Sequence, residues 1–297
     1  MGTFDGVHLG HQELFRRTLK HRPEQGYSTV FTFDIPPEQF FRKQYCLLSP
    51  FEQKVELIFQ HGIDEIAWVP FNQSAAQLSP EDFVETVLVK EMKACHIVCG
   101  FNFRFGHGGR GDSDLLKTMG KEYGFSVTVV PPVETTQDVI SSTRIRRAIA
   151  DGRMERAARM LGRFPSYEGV VVKGAGRGRK LGFPTANLQI DPRILIPGEG
   201  VYFTWCVLDD TRAHPALTSI GKNPTFNSPV QTVETYVMDF SGDLYNQRIK
   251  VQFICRMRDI IRYHSAAELQ AQIQADIIEA ERLADRFHLQ DPRIVLE

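Results

Sequence analysis

No apolar run in the chain approaches the ~20 residues that a membrane span needs, so no span is expected. The first residues, MGTFDGVHLG, hold no charged stretch followed by an apolar core, so no secretory signal is expected there. A basic surplus is missing as well: 35 Lys and Arg stand against 36 Asp and Glu. A protein that mainly grips a nucleic-acid backbone usually carries such a surplus, so no nucleic-acid partner is expected. Small phosphorylated ligands remain open, because they need only a local basic or amide-rich pocket. Cysteine is scarce and odd in number: Cys46, Cys95, Cys99, Cys206 and Cys255. Without close pairs these read as reduced thiols in a cytoplasmic protein. In CHIVC, Cys95 and Cys99 read as small hydrophobes of a buried strand. The other ligand-rich segments supply no matching pair for a metal beside His96. Internal repeats and low-complexity tracts are also lacking.

What is present is length and rhythm. At 297 residues the chain has room for two domains of ordinary size. The first half alternates strands with helices. YSTVFTF, DEIAWVPF, HIVCGF and FSVTVVPP read as strands. SPFEQKVELIFQHG, SPEDFVETVLVKEMKA, DSDLLKTMGKEYG and STRIRRAIADG read as helices, with Ser79 a cap and Gly62, Gly124 and Gly152 as stops. This alternation predicts a doubly wound α/β domain with a parallel sheet, which binds ligands at the carboxyl ends of its strands.

After RMERAARMLGRFPS the rhythm changes. YEGVVVKG, GVYFTWCVLDD, ALTSIG, VETYVMDF and IKVQFICRMRD read as strands joined by Gly-, Pro- and Asp-rich connectors. No helix is expected until SAAELQAQIQADIIEAERLADRF, where Leu269, Ile273, Ile277 and Leu283 recur at helical spacing. The pattern predicts an antiparallel barrel or sandwich with one C-terminal helix. The boundary is placed near Arg163 to Ser166, giving domains 1–163 and 164–297.

GTFDGVHLGHQELF reads as a glycine-bearing turn that opens a helix. Such an end presents unpaired amides and a positive dipole, which suits phosphate. His8 and His11, three apart, would face the same way and could stabilise charge growing on a phosphoryl group; a surface pair at a helix cap is the alternative. In GFNFRFGHGGRGD, Phe101, Phe103 and Phe105 could flank a flat ligand while Arg104 or Arg110 meets phosphate. They could equally plug the core. SSTRIRRAI opens a helix with hydroxyls and follows with Arg144 and Arg146, either a polyphosphate grip or a serine cap with solvated arginines.

In the second half, GAGRGRKLGFPTANL combines a flexible glycine loop with Arg177, Arg179 and Lys180. A DNA minor-groove arm is the competing reading of GRGRK, but such arms sit in disordered chains, and this one lies between strands. Thr185 and Asn187, two apart in an extended segment, point to one side and suit a hard cation held by ATP phosphates. Glu234 stands in a strand among apolar neighbours, either solvent-facing or aimed into a site. Kinase chemistry on an alcohol wants a carboxylate there.

GTFDGVHLGHQ with GFNFRFG and SSTRIR resembles the FMN adenylyltransferase branch of the nucleotidyltransferases. LGFPTAN, IGKNPTF, VETYVMDF, DLYNQ and RMRD resemble riboflavin kinase, a six-stranded antiparallel barrel. In this order, over nearly the whole chain, the motifs resemble the bacterial bifunctional riboflavin kinase/FMN adenylyltransferase family. The resemblance implies ATP-dependent conversion of riboflavin to FMN and of FMN to FAD, with Mg2+, and needs no protein partner. Carried over, His8 and His11 would stabilise the reacting phosphates, within a site that includes Gly2, Phe4, Asp5, Gly6 and Gly10. Asn102 and Arg104 would lie by flavin or nucleotide, and Ser142, Thr143 and Arg146 would hold ATP phosphates. In the kinase, Gly174, Gly176, Arg177, Gly178, Lys180, Gly182, Pro184 and Arg258 would bind ATP or flavin. Thr185 and Asn187 would hold the cation, and Glu234 would be the base.

Two departures carry expectations of their own. In the family a hydrophobic strand precedes GxFDGxHxGH, whereas here Met1 stands against Gly2. A central parallel strand is buried on both faces, so its lack should expose its neighbours and loosen the phosphate turn. Either the chain starts late relative to the family, or the adenylyltransferase half is impaired; the intact remaining motifs favour the first. Ile260 stands where the family commonly has an acid, and Tyr263 falls in the aromatic slot. The other readings are a riboflavin kinase with a crippled first domain and a flavin- or nucleotide-binding regulatory module without turnover.

Overall fold

The computed structural model describes residues 1–42, 45–136, 139–174, 176–208, 212–222 and 231–287. Its chain forms two compact units, Met1–Ser142 and Thr143–Glu297.

The first unit alternates as its sequence rhythm predicts. Helix α1 (Leu9–Lys20) leads to β1 (Thr29–Phe33), α2 (Pro37–Phe41), α3 (Phe51–Gln60) and β2 (Glu65–Val69). Then come α4 (Gln73–Gln77), α5 (Pro80–Asp82) running on as a π-helical stretch (Phe83–Glu91), β3 (His96–Gly100), α6 (Ser113–Tyr123) and β4 (Ser126–Val130). Local chemistry explains the ends. The Ser79 hydroxyl accepts from Asp82 N, and the Asp112 carboxylate accepts from Asp114 N and Leu115 N. Gly124 closes α6 with φ 82°.

β1 pairs with β2 and β3 with β4, both in parallel. The stretch from Met1 bridges the two pairs: the Met1 amine donates to Val98 O at 3.0 Å and Gly2 N to Phe31 O at 3.2 Å. The expected exposure of the neighbouring strands is therefore corrected. Val30, Phe31, Ile97, Val98 and Cys99 are all buried, because Phe4, Val7, Phe15 and Ile58 cover one side and Phe83, Leu88 and Leu116 the other. In CHIVC, Cys99 lies in this core and Cys95 is exposed. Among the described residues no three His, Cys, Asp or Glu side chains group as a metal site.

The second unit opens with α7 (Ser142–Ala150, whose first residue belongs to the first unit) and α8 (Met154–Leu161). The strands β5 (Ser166–Val172), β6 (Ala186–Gln189), β7 (Gly200–Val207), β8 (Ala213–Lys222), β9 (Gln231–Val237) and β10 (Arg248–Arg258) follow. They close into an antiparallel barrel in the order β10-β5-β6-β9-β8-β7. Between β5 and β6 a one-turn helix, α9 (Arg177–Lys180), occupies the glycine loop, where the sequence predicted no helix. Helix α10 (Ala266–Arg286) starts at a Ser265 cap. Its Ala280, Ile277 and Leu283 pack with Ala158 of α8 on Phe203, Trp205 and Ile254. Alternation in β9 buries Val233, Thr235 and Val237 and turns Thr232, Glu234 and Tyr236 to the other face. Thr204, Thr218 and Thr235, fully buried, hydrogen-bond in a row at 2.9 Å across β7, β8 and β9.

Candidate active sites

In the first unit the site begins with a strained turn. Phe4 and Val7 hold φ of 52° and 42°, Gly6 holds 82°, and Val7 N closes the turn on Phe4 O. Bulky residues rarely adopt this left-handed region, so the surroundings must impose it. The Asp5 carboxylate, buried, accepts from Leu48 N at 2.9 Å and Ser49 N at 3.3 Å. Gly6 N donates to Ser49 Oγ, and the Ser142 hydroxyl donates to Asp5 O at 3.1 Å. The Phe4 ring sits in the core, edge-on to the His11 ring at 5.2 Å. The turn delivers His8 as the N-cap of α1, its Nδ1 accepting from His11 N at 3.3 Å. That bond places the proton of a neutral His8 imidazole on Nε2. The His8 and His11 rings lie stacked, 3.5 Å between centroids, at the start of α1. Gly10 permits the stack: a Cβ there would stand 3.1 Å from the His8 ring.

The glycine–phenylalanine loop divides. Phe105 is buried and Phe103 packs on it, so these two rings plug the core, while Phe101 is 52 % exposed. Asn102 is exposed beside it, and Arg104 pairs with the helix-capping Asp112 at 3.2 Å. Thr143 and Arg146 follow on α7, within the second unit.

In the second unit, Asn187 of β6 stands in direct register with Glu234 of β9, and Glu234 in turn with Ser219 of β8. The Thr185 hydroxyl donates to Glu234 Oε2 at 3.4 Å. Thr185, Asn187, Ser219 and Glu234, all oxygen-bearing, thus share one outer face of the barrel. The glycine loop crosses this face. A Cβ on Gly174 would overlap the Asn187 amide, and one on Gly178 would overlap Phe183 O, just before Pro184 and Thr185. Gly176 and Gly182 hold φ of 66° and 87°. The side chains of Arg177 and Lys180 lie outside the described residues, as do Asn223 to Phe226 of IGKNPTF. Arg258 grips Asp276 of α10 with Nε at 2.9 Å and Nη2 at 2.6 Å, and its Nη1 donates to Asp259 O. Ile260 is exposed, and Tyr263 is half-buried.

Sequence reasoning missed three features. Lys54 of α3 is buried beside the turn, where its place in FEQKVELIFQ signalled only a helix face. Asp276 is buried against Arg258 although its helix spacing reads as surface. Phe40 and Phe41 of α2, both exposed, form with the half-buried Phe71 a set of edge-on rings within 6.0 Å of one another. PPEQFF carried the only hint, two adjacent aromatics after prolines.

A family model described as FAD synthetase matches residues 1–144, and one described as riboflavin kinase matches residues 161–284. The chain is 36% identical to a bifunctional riboflavin kinase/FMN adenylyltransferase of Listeria monocytogenes, covering 93% of this chain and 88% of that one. With the protein of the same description from Escherichia coli K12 it shares 33% over 94% of this chain and 90% of the other. A crystal structure described as a macrolide-efflux protein from Streptococcus pneumoniae superposes with a TM-score of 0.86 at 32% identity. It covers 95% of this chain and 92% of that one. Among the described residues no helix is long and apolar enough to cross a membrane.

Proposed function

The chain belongs to the bifunctional riboflavin kinase/FMN adenylyltransferase family, and from that premise we propose which of its residues carry each step. It phosphorylates riboflavin with ATP to FMN and adenylylates FMN with ATP to FAD and pyrophosphate. We assign the kinase to residues 164–297 and the adenylyltransferase to 1–163.

The observation that carries the residue assignment is the meeting of Thr185, Asn187 and Glu234 on one face of the barrel under the glycine loop. In the kinase step the ribityl hydroxyl attacks the γ-phosphorus of ATP and ADP leaves. Glu234 accepts the hydroxyl proton. Thr185 and Asn187 offer neutral oxygens, a donor set that fits a hard divalent cation already carried by ATP phosphates. Mg2+ held there would neutralise phosphate charge. Gly174 to Gly182 cover the nucleotide, and Pro184 fixes the approach to Thr185.

In the adenylyltransferase step a phosphate oxygen of FMN attacks the α-phosphorus of ATP in line, and pyrophosphate leaves without a covalent enzyme intermediate. The stacked imidazoles and the first amides of α1 meet the charge that develops on the reacting phosphates. Gly2, Asp5, Gly6 and Ser142 hold the turn that aims them. Phe101, Asn102, Arg104 and the Phe40, Phe41, Phe71 set offer aromatic and polar surface for flavin or adenine. The roles of Thr143, Arg146, Arg177, Lys180 and Arg258 rest on the family motif. A cytoplasmic setting is proposed from five free thiols.

Product analysis tests the assignment. The purified chain is incubated with ATP, Mg2+ and either riboflavin or FMN, and the flavins are separated by chromatography. FAD from both substrates is expected. Glu234→Gln should leave FAD formation from FMN only, and His11→Ala should stop at FMN. Equal loss of both steps in each variant would reject two separate sites.

A further inference from the structure

Lys54 is 3% exposed, yet it carries an ammonium that neither proposed step uses. Its three N–H bonds have three acceptors: Phe33 O at 2.6 Å, Thr32 Oγ1 at 3.2 Å and Thr3 O at 3.3 Å. The Phe51 ring, from the same helix, lies 5.0 Å from the nitrogen. Thr3 immediately precedes the strained turn, and Phe33 ends β1, so one cation ties the turn to the strand end. The segment that carries Lys54 holds the turn twice more, through Leu48 N and Ser49 N on Asp5 and through Ser49 Oγ on Gly6. A turn with Phe4 and Val7 at positive φ persists only under such constraint.

We infer that Lys54 is a positioning residue for adenylyl transfer: its ammonium holds the Phe4–Val7 turn in the conformation that presents His8 and His11, and a neutral amine does not. This rests on the assignment of His8 and His11 to that step. Deprotonation removes one N–H and the charge that strengthens the other bonds, and leaves a lone pair facing carbonyl oxygens. The charged groups facing the ammonium are Asp5 from the turn and Asp34 from the end of β1. Both favour its protonated form, but burial outweighs them and brings its pKa down to about 8. The working form is therefore present below about pH 8 and lost above it.

The test uses the whole chain, with riboflavin phosphorylation as an internal control. FMN adenylylation and riboflavin phosphorylation are followed from pH 6.5 to 9.5 for the natural chain, Lys54→Met, Lys54→Arg and His11→Ala. The natural chain should lose adenylylation on an alkaline limb near pH 8 that phosphorylation lacks. Lys54→Met should lower adenylylation kcat by about 100-fold, the scale of a displaced reacting group, with phosphorylation retained and no limb. Lys54→Arg, whose charge does not titrate, should restore part of the rate and lack the limb. Adenylylation by Lys54→Met within twofold of natural, or with the same limb, overturns the inference. If Lys54→Met does not fold, lysine side-chain NMR of the natural chain decides. A lysine titrating along the limb, with His8 and His11 resonances following, supports the inference, and no lysine titrating between pH 7 and 9 overturns it. Retained adenylylation in His11→Ala would instead overturn the site assignment itself.

Discussion

Asn187 and Glu234 are register partners across β6 and β9, so the candidate cation ligand and the candidate base stand side by side on one barrel face. Two residues 47 positions apart reach that relation because alternation turns both away from the buried Ala186, Leu188, Val233 and Thr235.

From this pairing, Glu234→Gln is expected to reduce riboflavin phosphorylation roughly 100- to 10,000-fold, the range for loss of a general base. Adenylylation of supplied FMN should stay within twofold. Steady-state rates for each substrate check it, and a flat response of phosphorylation would remove Glu234 from the mechanism.

His11→Ala should do the reverse. Loss of one charge-stabilising group is expected to slow adenylylation roughly 100- to 1,000-fold. Because Gly10 is what lets the His8 ring stack at the start of α1, Gly10→Ala should also impair adenylylation while phosphorylation continues. Comparing kcat for the two reactions in both variants checks the pair.

Gly174→Ala is expected to depress riboflavin phosphorylation about 10-fold or more, since displacement of a reacting group is costly. The methyl would overlap the Asn187 amide and push it from its place beside Glu234. Titration of the variant with Mg2+ at fixed ATP should show a raised requirement; an unchanged requirement would separate Asn187 from the cation.

Arg258 and Asp276 are 19% and 7% exposed at their side chains, and the pair joins β10 to α10. Breaking such a buried pair strands a charge, so Asp276→Leu alone should destabilise the barrel unit by about 3 kcal/mol. The double change Arg258→Met with Asp276→Leu should recover most of that loss. Urea midpoints of the single and double variants read the difference.

Asp64 accepts from Ser28 N at 2.8 Å and Ser28 Oγ at 2.6 Å and pairs with Arg22, and these bonds hold its pKa down to about 2. A depressed carboxylate stabilises the fold above its unfolded pKa, and that contribution fades as pH falls from about 4 towards 2. The first unit should therefore melt progressively lower over that window. Asp64→Asn should start lower at pH 6 and show a shallower fall, which thermal melts at pH 6, 4 and 3 would reveal.

Much of this was legible in the chain itself. The alternation of TVFTF, EIAWV, HIVCG and SVTVV with amphipathic helices determined a parallel α/β unit, because strand and helix periods bury different residue sets. Spacing alone also put His8 and His11 on one side of a helix start and Thr185 and Asn187 on one side of an extended segment. The glycine loop was visible, but its one-turn helix was not, since Arg177 to Lys180 have no apolar period to announce it.

Tertiary structure decided what distance along the chain conceals. That Gly2 meets Phe31 while the Met1 amine meets Val98, that Lys54 stands under the Phe4–Val7 turn, and that Asp276 neutralises Arg258 all depend on groups 18 to 97 positions apart. A lysine on a helix reads as solvated until the fold buries it, and an aspartate in α10 reads as surface until β10 ends against it. Hydrophobic periodicity is a local signal that selects elements and faces. The partner of a buried charge is chosen by desolvation, and that acts only once the elements have packed.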